Sequence, residues 1–132
     1  MTSKKRIASY GPFKSIFAQA VEKDGVIHLA GQVSLDPEGK PLGAGDFLEQ
    51  TRVVYAQVQA ALEEMGATMA DITDETLFVT DVGALLGDIE GFCQVRSAAY
   101  GVETPEVSQT CVQVAALVMP ELMIEIKCVA QR

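Results

Sequence analysis

The residues best suited to chemistry lie late in the chain, in Ser108-Gln109-Thr110-Cys111-Val112-Gln113 and Ile124-Glu125-Ile126-Lys127. Both stretches alternate, and alternate residues of a strand share a face. One set is apolar: Val112 and Val114, then Leu122, Ile124 and Ile126. The other set is Gln109, Cys111 and Gln113, with Glu125 and Lys127. A carboxylate in such company can act as a general base that directs water, because partial burial raises its pKa toward a useful range. The competing role for Glu125 is an ion pair with Lys127, two residues along the same face.

The remaining reactive side chains point less clearly to a site. Cys111 and Cys93 could be nucleophiles, but no base stands beside either, and a buried cysteine commonly packs as a small hydrophobe. The three cysteines have no metal-ligand spacing, so reduced thiols in a cytoplasm are expected and no metal site. His28, the single histidine, falls in mid-strand, where a packed or paired side chain is the commoner use. Gly83, Gly87 and Gly91 are not followed by Lys-Ser/Thr, so they form no phosphate loop, and no organic cofactor motif is present. Gly31 suits a close backbone approach to a ligand or a neighbouring subunit.

The net charge is −8 and the only basic run is Lys4-Lys5-Arg6. A nucleic-acid binder needs a basic stripe to neutralise phosphates, so a nucleic-acid partner is not expected. No apolar run reaches the roughly 18 residues needed to cross a membrane. The basic start from Met1 to Arg6 lacks an apolar stretch after it, so a secretory signal is not expected and a cytoplasmic protein is.

The elements that must hold these residues are legible as one domain over residues 1–132. Residues 26–33 alternate as a strand, and Asp36-Pro37-Glu38-Gly39 has tight-turn chemistry. A helix is predicted over 47–65: Asp46 caps it, Glu49 completes a capping box, and Gly66 ends it. Its inward face is Leu48, Thr51, Tyr55, Val58, Leu62 and Met65. A strand follows over 74–80, then a loop or frayed turn over 83–87. A second helix over 88–100 turns Ile89, Phe92, Val95 and Ala99 inward, with Arg96 as a solvated charge. Two last strands, 108–117 and 122–130, are joined by Val118-Met119-Pro120-Glu121, which suggests an antiparallel pair. The expected architecture is an α+β single sheet with two helices on one face. Its other face is too polar for a core, so association through it is expected.

Several strings resemble the RidA/YjgF family, also named after an endoribonuclease-like perchloric-acid-soluble protein. They are Phe17-Ala18-Gln19-Ala20-Val21, the stretch from Val26 through Ala30-Gly31-Gln32-Val33 with Asp36-Pro37, and Gln50-Thr51-Arg52. Met65-Gly66-Ala67-Thr68 with Asp71-Ile72, Phe78-Val79-Thr80-Asp81, Val112-Gln113-Val114-Ala115-Ala116-Leu117 and Ile124-Glu125-Ile126 complete the set. The resemblance covers the chain beyond about residue 15. It implies a chorismate-mutase-like fold and a homotrimer whose sheets enclose a barrel, with small-molecule ligands in the inter-subunit clefts.

The resemblance also implies a chemistry, the hydrolysis of enamines and imines to a 2-keto acid and ammonia. In the family an arginine grips the substrate carboxylate, a glutamate orients water, a tyrosine closes the pocket and a helix carries an asparagine. Those positions fall on Gln109, Glu125, Phe17 and Cys93 respectively. Glu125 is thus the expected catalytic residue, with Gln109, Cys111, Gly31, Phe17 and Cys93 as substrate-binding residues. Gln109 carries no charge, which argues against 2-imino acid deamination and resembles a subgroup lacking the arginine. Arg96 could stand in for it from another element. A non-catalytic metabolite-binding trimer is the alternative function, and an endoribonuclease fits the acidity and single histidine least.

Overall fold

The structure is a computed structural model that describes residues 4–132; Met1 to Ser3, which precede the basic run, lie outside them. Among the described residues one mixed sheet is formed by β1 (Arg6–Ala8), β2 (Ala20–Lys23), β3 (Val26–Leu29), β4 (Gln32–Val33), β5 (Ile72–Val79), β6 (Ser108–Gln113) and β7 (Ile124–Gln131). The helices are α1 (Phe47–Glu64), the short α2 (Val82–Leu86) and α3 (Ile89–Tyr100). The strand order is β1-β2-β3-β7-β5-β6, with β4 also paired to β7. The pairings are antiparallel except β5 with β6, which the α2–α3 crossover makes parallel.

Helix α1 forms where its sequence predicts. The Asp46 carboxylate accepts from the Glu49 N–H at 3.1 Å, and Gly66, at φ +73°, takes the left-handed conformation that ends the helix. The reciprocal half of the capping box is not made. The Asp46 N–H donates to the Gly43 carbonyl, and Glu49 turns to Arg52 instead. Val54, Tyr55, Val58, Ala61 and Leu62 bury against Leu77 and Val79 of β5 and Ile124 and Ile126 of β7. In α3, Phe92 and Val95 are buried, whereas Ile89, expected inward, is exposed.

Four further expectations, about the strands and their connections, need correction. Residues 83–87 are not a loop: Asp81 caps α2 by accepting from the Gly83 N–H. Residues 26–33 do not form one strand. His28 pairs with Val129 and Gln32 with Ile126, so four steps on one side answer three on the other, and Ala30-Gly31 bulges out. The last two strands are not a hairpin, because β5 lies between them. The apolar β7 belongs in mid-sheet, with Ile124, Ile126, Cys128 and Ala130 all fully buried, while every residue of the polar β6 is exposed at the edge.

The fourth correction follows from the third. Paired residues on adjacent strands share a face. Gln109, Cys111 and Gln113 pair with Glu75, Leu77 and Val79, all buried beneath the helices. Glu125 and Lys127 pair with Phe78 and Thr76 on the opposite, uncovered face. The two sets expected to share one face therefore lie on different faces. Val112, expected under the helices, is on the open face and 39% exposed.

Gln50 ties helix to sheet. Its side chain donates to the Glu121 carbonyl at 2.8 Å and accepts from the Met123 N–H at 2.8 Å, fixing the chain one residue before β7 begins. Gln50→Ala removes both of these part-buried bonds, each worth about 0.5–1.5 kcal/mol net. Urea unfolding should show a loss of at least ~1 kcal/mol; stability within experimental error of the parent would show that the clamp is dispensable.

Candidate functional site

Two polar constructions stand out, one on each face of the sheet. On the open face, the β1–β2 loop and the Ala30-Gly31 bulge wall a groove of about 1060 Å³. Phe17, Gly31 and Glu125 line it, together with Phe13, His28 and Lys127. The Phe13 and Phe17 rings stack, with centroids 5.7 Å apart, and form an apolar wall. The bulge keeps its backbone groups satisfied. Gln19 accepts from the Ala30 N–H, Gln32 donates to the Ala30 carbonyl and to the Gln19 side chain, and Lys127 donates to the Leu29 carbonyl at 2.8 Å.

That last bond removes the ion-pair role considered for Glu125. Lys127 is spent on the backbone, and among the described residues no salt bridge or protein hydrogen bond is made by the Glu125 carboxylate. Glu125 instead lies directly over Gly31, where a Cβ would fall 2.1 Å from its Oε2. Gly31 thus serves a side chain rather than a turn, leaving room for the carboxylate to lie against the backbone. Burial raises the Glu125 pKa above the usual carboxylate value, and the Lys127 charge opposes the rise without cancelling it.

On the helix-covered face a second carboxylate, Glu75, is completely buried. Four donors converge on it: Tyr55 and Tyr100 hydroxyls on Oε1 at 3.0 and 2.7 Å, and Arg96 Nε and Gln109 Nε2 on Oε2 at 2.6 and 2.7 Å. The Arg96 guanidinium also lies 5.3 Å from the centre of the Tyr100 ring. Burial would lower the Arg96 pKa, but the adjacent Glu75 charge and hydrogen bond outweigh it and leave it raised. Burial, assisted by Glu75, pushes both tyrosine hydroxyls well above their ordinary value. The same environment pushes the buried Cys128 thiol up to about 12.

Of the residues singled out in the sequence, Phe17, Gly31 and Glu125 come together in the groove, while Gln109 joins the Glu75 cluster across the sheet. Cys111 lies on the same strand face as Gln109, exposed, with burial raising its thiol pKa, which is the reverse of nucleophile activation. Cys93 is exposed on α3 and belongs to neither construction. Arg96, expected as a solvated charge, has a side chain only 15% exposed and is paired to Glu75. The missed residues are Glu75 and Tyr100. Their spacing carried a signal: Glu75 is in phase with Leu77 and Val79, and Phe92, Arg96 and Tyr100 recur every four residues.

One mixed sheet with helices on a single face, and polar groups gathered at its edge and on its open face, defines a YjgF-type α+β fold. The sequence profile described as Endoribonuclease L-PSP matches residues 4–132, and the chain belongs to that family. A RutC family protein of Pyrococcus abyssi is 31% identical over 116 residues, covering 88% of this chain and 86% of that protein. Among solved structures, a YjgF/YER057c/UK114 family member from Mycobacterium tuberculosis superposes with a TM-score of 0.80 at 25% identity, covering 98% of this chain and all of the other. A Rid family protein of unknown function from Yersinia pestis gives 0.74 at 30% identity, covering 97% and 98%.

Removing one partner of a buried ion pair leaves an uncompensated charge. Arg96→Met should therefore lower the unfolding free energy by about 3 kcal/mol or more. Adding Glu75→Gln should return part of that loss, since no buried charge remains. Denaturant titration of the two variants checks this, and an Arg96→Met protein as stable as the parent would show that the other three donors suffice for Glu75.

Proposed function

We propose that this is a small-metabolite hydrolase of the RidA type, working as a homotrimer whose sites form where copies of the chain meet. In that assembly Gln109 and Cys111 on the β6 edge of one copy face Phe17, Gly31 and Glu125 in the groove of the next. One observation carries the proposal: the residues that the resemblance assigns to a single site lie on opposite faces of one sheet, so one chain alone cannot gather them. Two copies can. The surfaces suit such a meeting, since β6 is an unpaired edge with every residue exposed. Ile16 and Val118, at the groove's rim, are 76% and 63% exposed.

In the cleft, Glu125 acts as general base. It takes a proton from water as the oxygen adds to a C=N or enamine-derived carbon. Glu125 then returns that proton to the nitrogen, and collapse of the resulting amino alcohol, with its hydroxyl proton passing to the leaving amine, expels ammonia and leaves a carbonyl. A carboxylate with a raised pKa and no protein partner suits this step. Gln109 in place of the arginine supports slow or absent turnover of 2-imino acids and a kinship with the subgroup without that arginine. The non-catalytic binding trimer uses the same cleft and differs only in lacking turnover. An endoribonuclease is disfavoured by the net charge of −8.

Light scattering at micromolar concentration should give three times the chain mass, and a monodisperse monomer would sink the shared cleft. With 2-iminobutanoate generated by an amino-acid oxidase and trapped with semicarbazide, decay should be little faster than the background. On a substrate that is turned over, Glu125→Gln should cut the rate by about 10²-fold with the trimer intact. Because the base works only when deprotonated and its pKa is raised, the parent's rate should fall on the acid side, through a pH above the ordinary value of 4.5. Unchanged turnover would dismiss Glu125 as the base, and ligand binding without turnover would favour the binding trimer.

A further inference from the structure

The hydrogen bonds around Glu75 fix the direction in which Gln109 faces. A carboxylate only accepts, and its Oε2 already takes Arg96 Nε at 2.6 Å. The Gln109 amide must therefore present its NH₂ to Glu75, at 2.7 Å, because the flipped amide would set oxygen against oxygen. Its carbonyl Oε1 is turned away, and among the described residues it has no protein donor. Gln109 is exposed and β6 is the free edge of the sheet, so the part of the amide not held by Glu75 is open to a ligand.

The charge at this position is equally constrained. Arg96 brings +1 and Glu75 brings −1, so the pair sums to zero where an unpaired guanidinium would bring +1. A carboxylate arriving here would meet the lone pairs of Oε1 and an arginine already neutralised, and would lose the charge-assisted bidentate grip that makes arginine effective. A carboxamide would meet a complementary partner. Its NH₂ donates to Gln109 Oε1, and its carbonyl accepts from the remaining Gln109 N–H in a side-by-side amide pair.

We infer that the Glu75–Arg96 pair orients Gln109 and neutralises this end of the cleft, so that the site takes an uncharged carboxamide or ureido group in place of a carboxylate. The inference rests on the cleft proposed above and names the class of ligand that fills it.

A matched pair of probes tests it: 2-oxobutanamide against 2-oxobutanoate, titrated at pH 7 into the isotope-labelled trimer and followed by NMR shifts. The amide should bind about 10-fold more tightly and shift both the Gln109 side-chain amide and the residues around Glu125. Gln109→Met, at the exposed edge, should abolish the preference, and Gln109→Arg should reverse it. Glu75→Gln, where it folds, should raise affinity for the carboxylate. Equal or tighter binding of the carboxylate to the parent protein, with shifts in the cleft, would overturn the inference and leave the cleft standing. An intact trimer in which neither probe shifts a cleft residue would overturn both. An amide preference that survives Gln109→Met would remove Gln109 from the recognition.

Discussion

A carboxylate in the middle of a hydrophobic core must be surrounded by donors, and Glu75 imposes that constraint on much of this fold. Its four donors come from α1, α3 and β6, so one side chain on β5 specifies the relation of both long helices to the sheet edge. Such a cluster adds little net stability over apolar packing of the same volume, because desolvating the charges offsets their attraction. Its effect is on register. Shifting β6 by one residue would turn Gln109 away and leave Glu75 short of a donor, so β6 is held with its polar alternate set on the same side of the sheet as Glu75 and Val112 on the open face.

On the opposite face the same strategy is applied to the backbone. The bulge at Ala30-Gly31 interrupts the β3–β7 ladder, and side chains of Gln32 and Lys127 take up the freed carbonyls. Occupying Lys127 in this way frees Glu125 from its nearest cation, and the missing Cβ of Gly31 gives its carboxylate room against the chain. A local irregularity of the sheet thus produces a half-buried, unpaired carboxylate with a raised pKa.

A third carboxylate closes the far edge of the sheet. Glu22 on β2 is held by Arg6 on β1 and by Arg132 at the end of the chain, whose Nη2 lies 2.9 Å from Glu22 Oε1. The Arg132 hydrogen bonds keep the Glu22 pKa below the usual carboxylate range. By joining the two ends of the chain, this network steadies the β1–β2 hairpin, whose loop carries the Phe13–Phe17 wall of the groove.

The sequence by itself determined the elements whose signals are local. Asp46 and Gly66 bounded α1, the 3.6-residue spacing of Tyr55, Val58 and Leu62 gave its buried face, Thr, Phe and Val content located β5, and alternation located β7. The family strings added the general architecture, and with it Glu125, Gly31 and Phe17 as neighbours. Only the tertiary structure decided which face each strand presents. That parity depends on β5 lying between β6 and β7, a pairing between residues more than thirty positions apart in the chain. Apolar Val112 and Val114 suggested an inward face, and the prediction was wrong because Glu75, buried on the other side, needs Gln109 as a donor. Whether a polar residue faces in or out was set by a partner on a distant strand, and alternation along one strand carries no record of it.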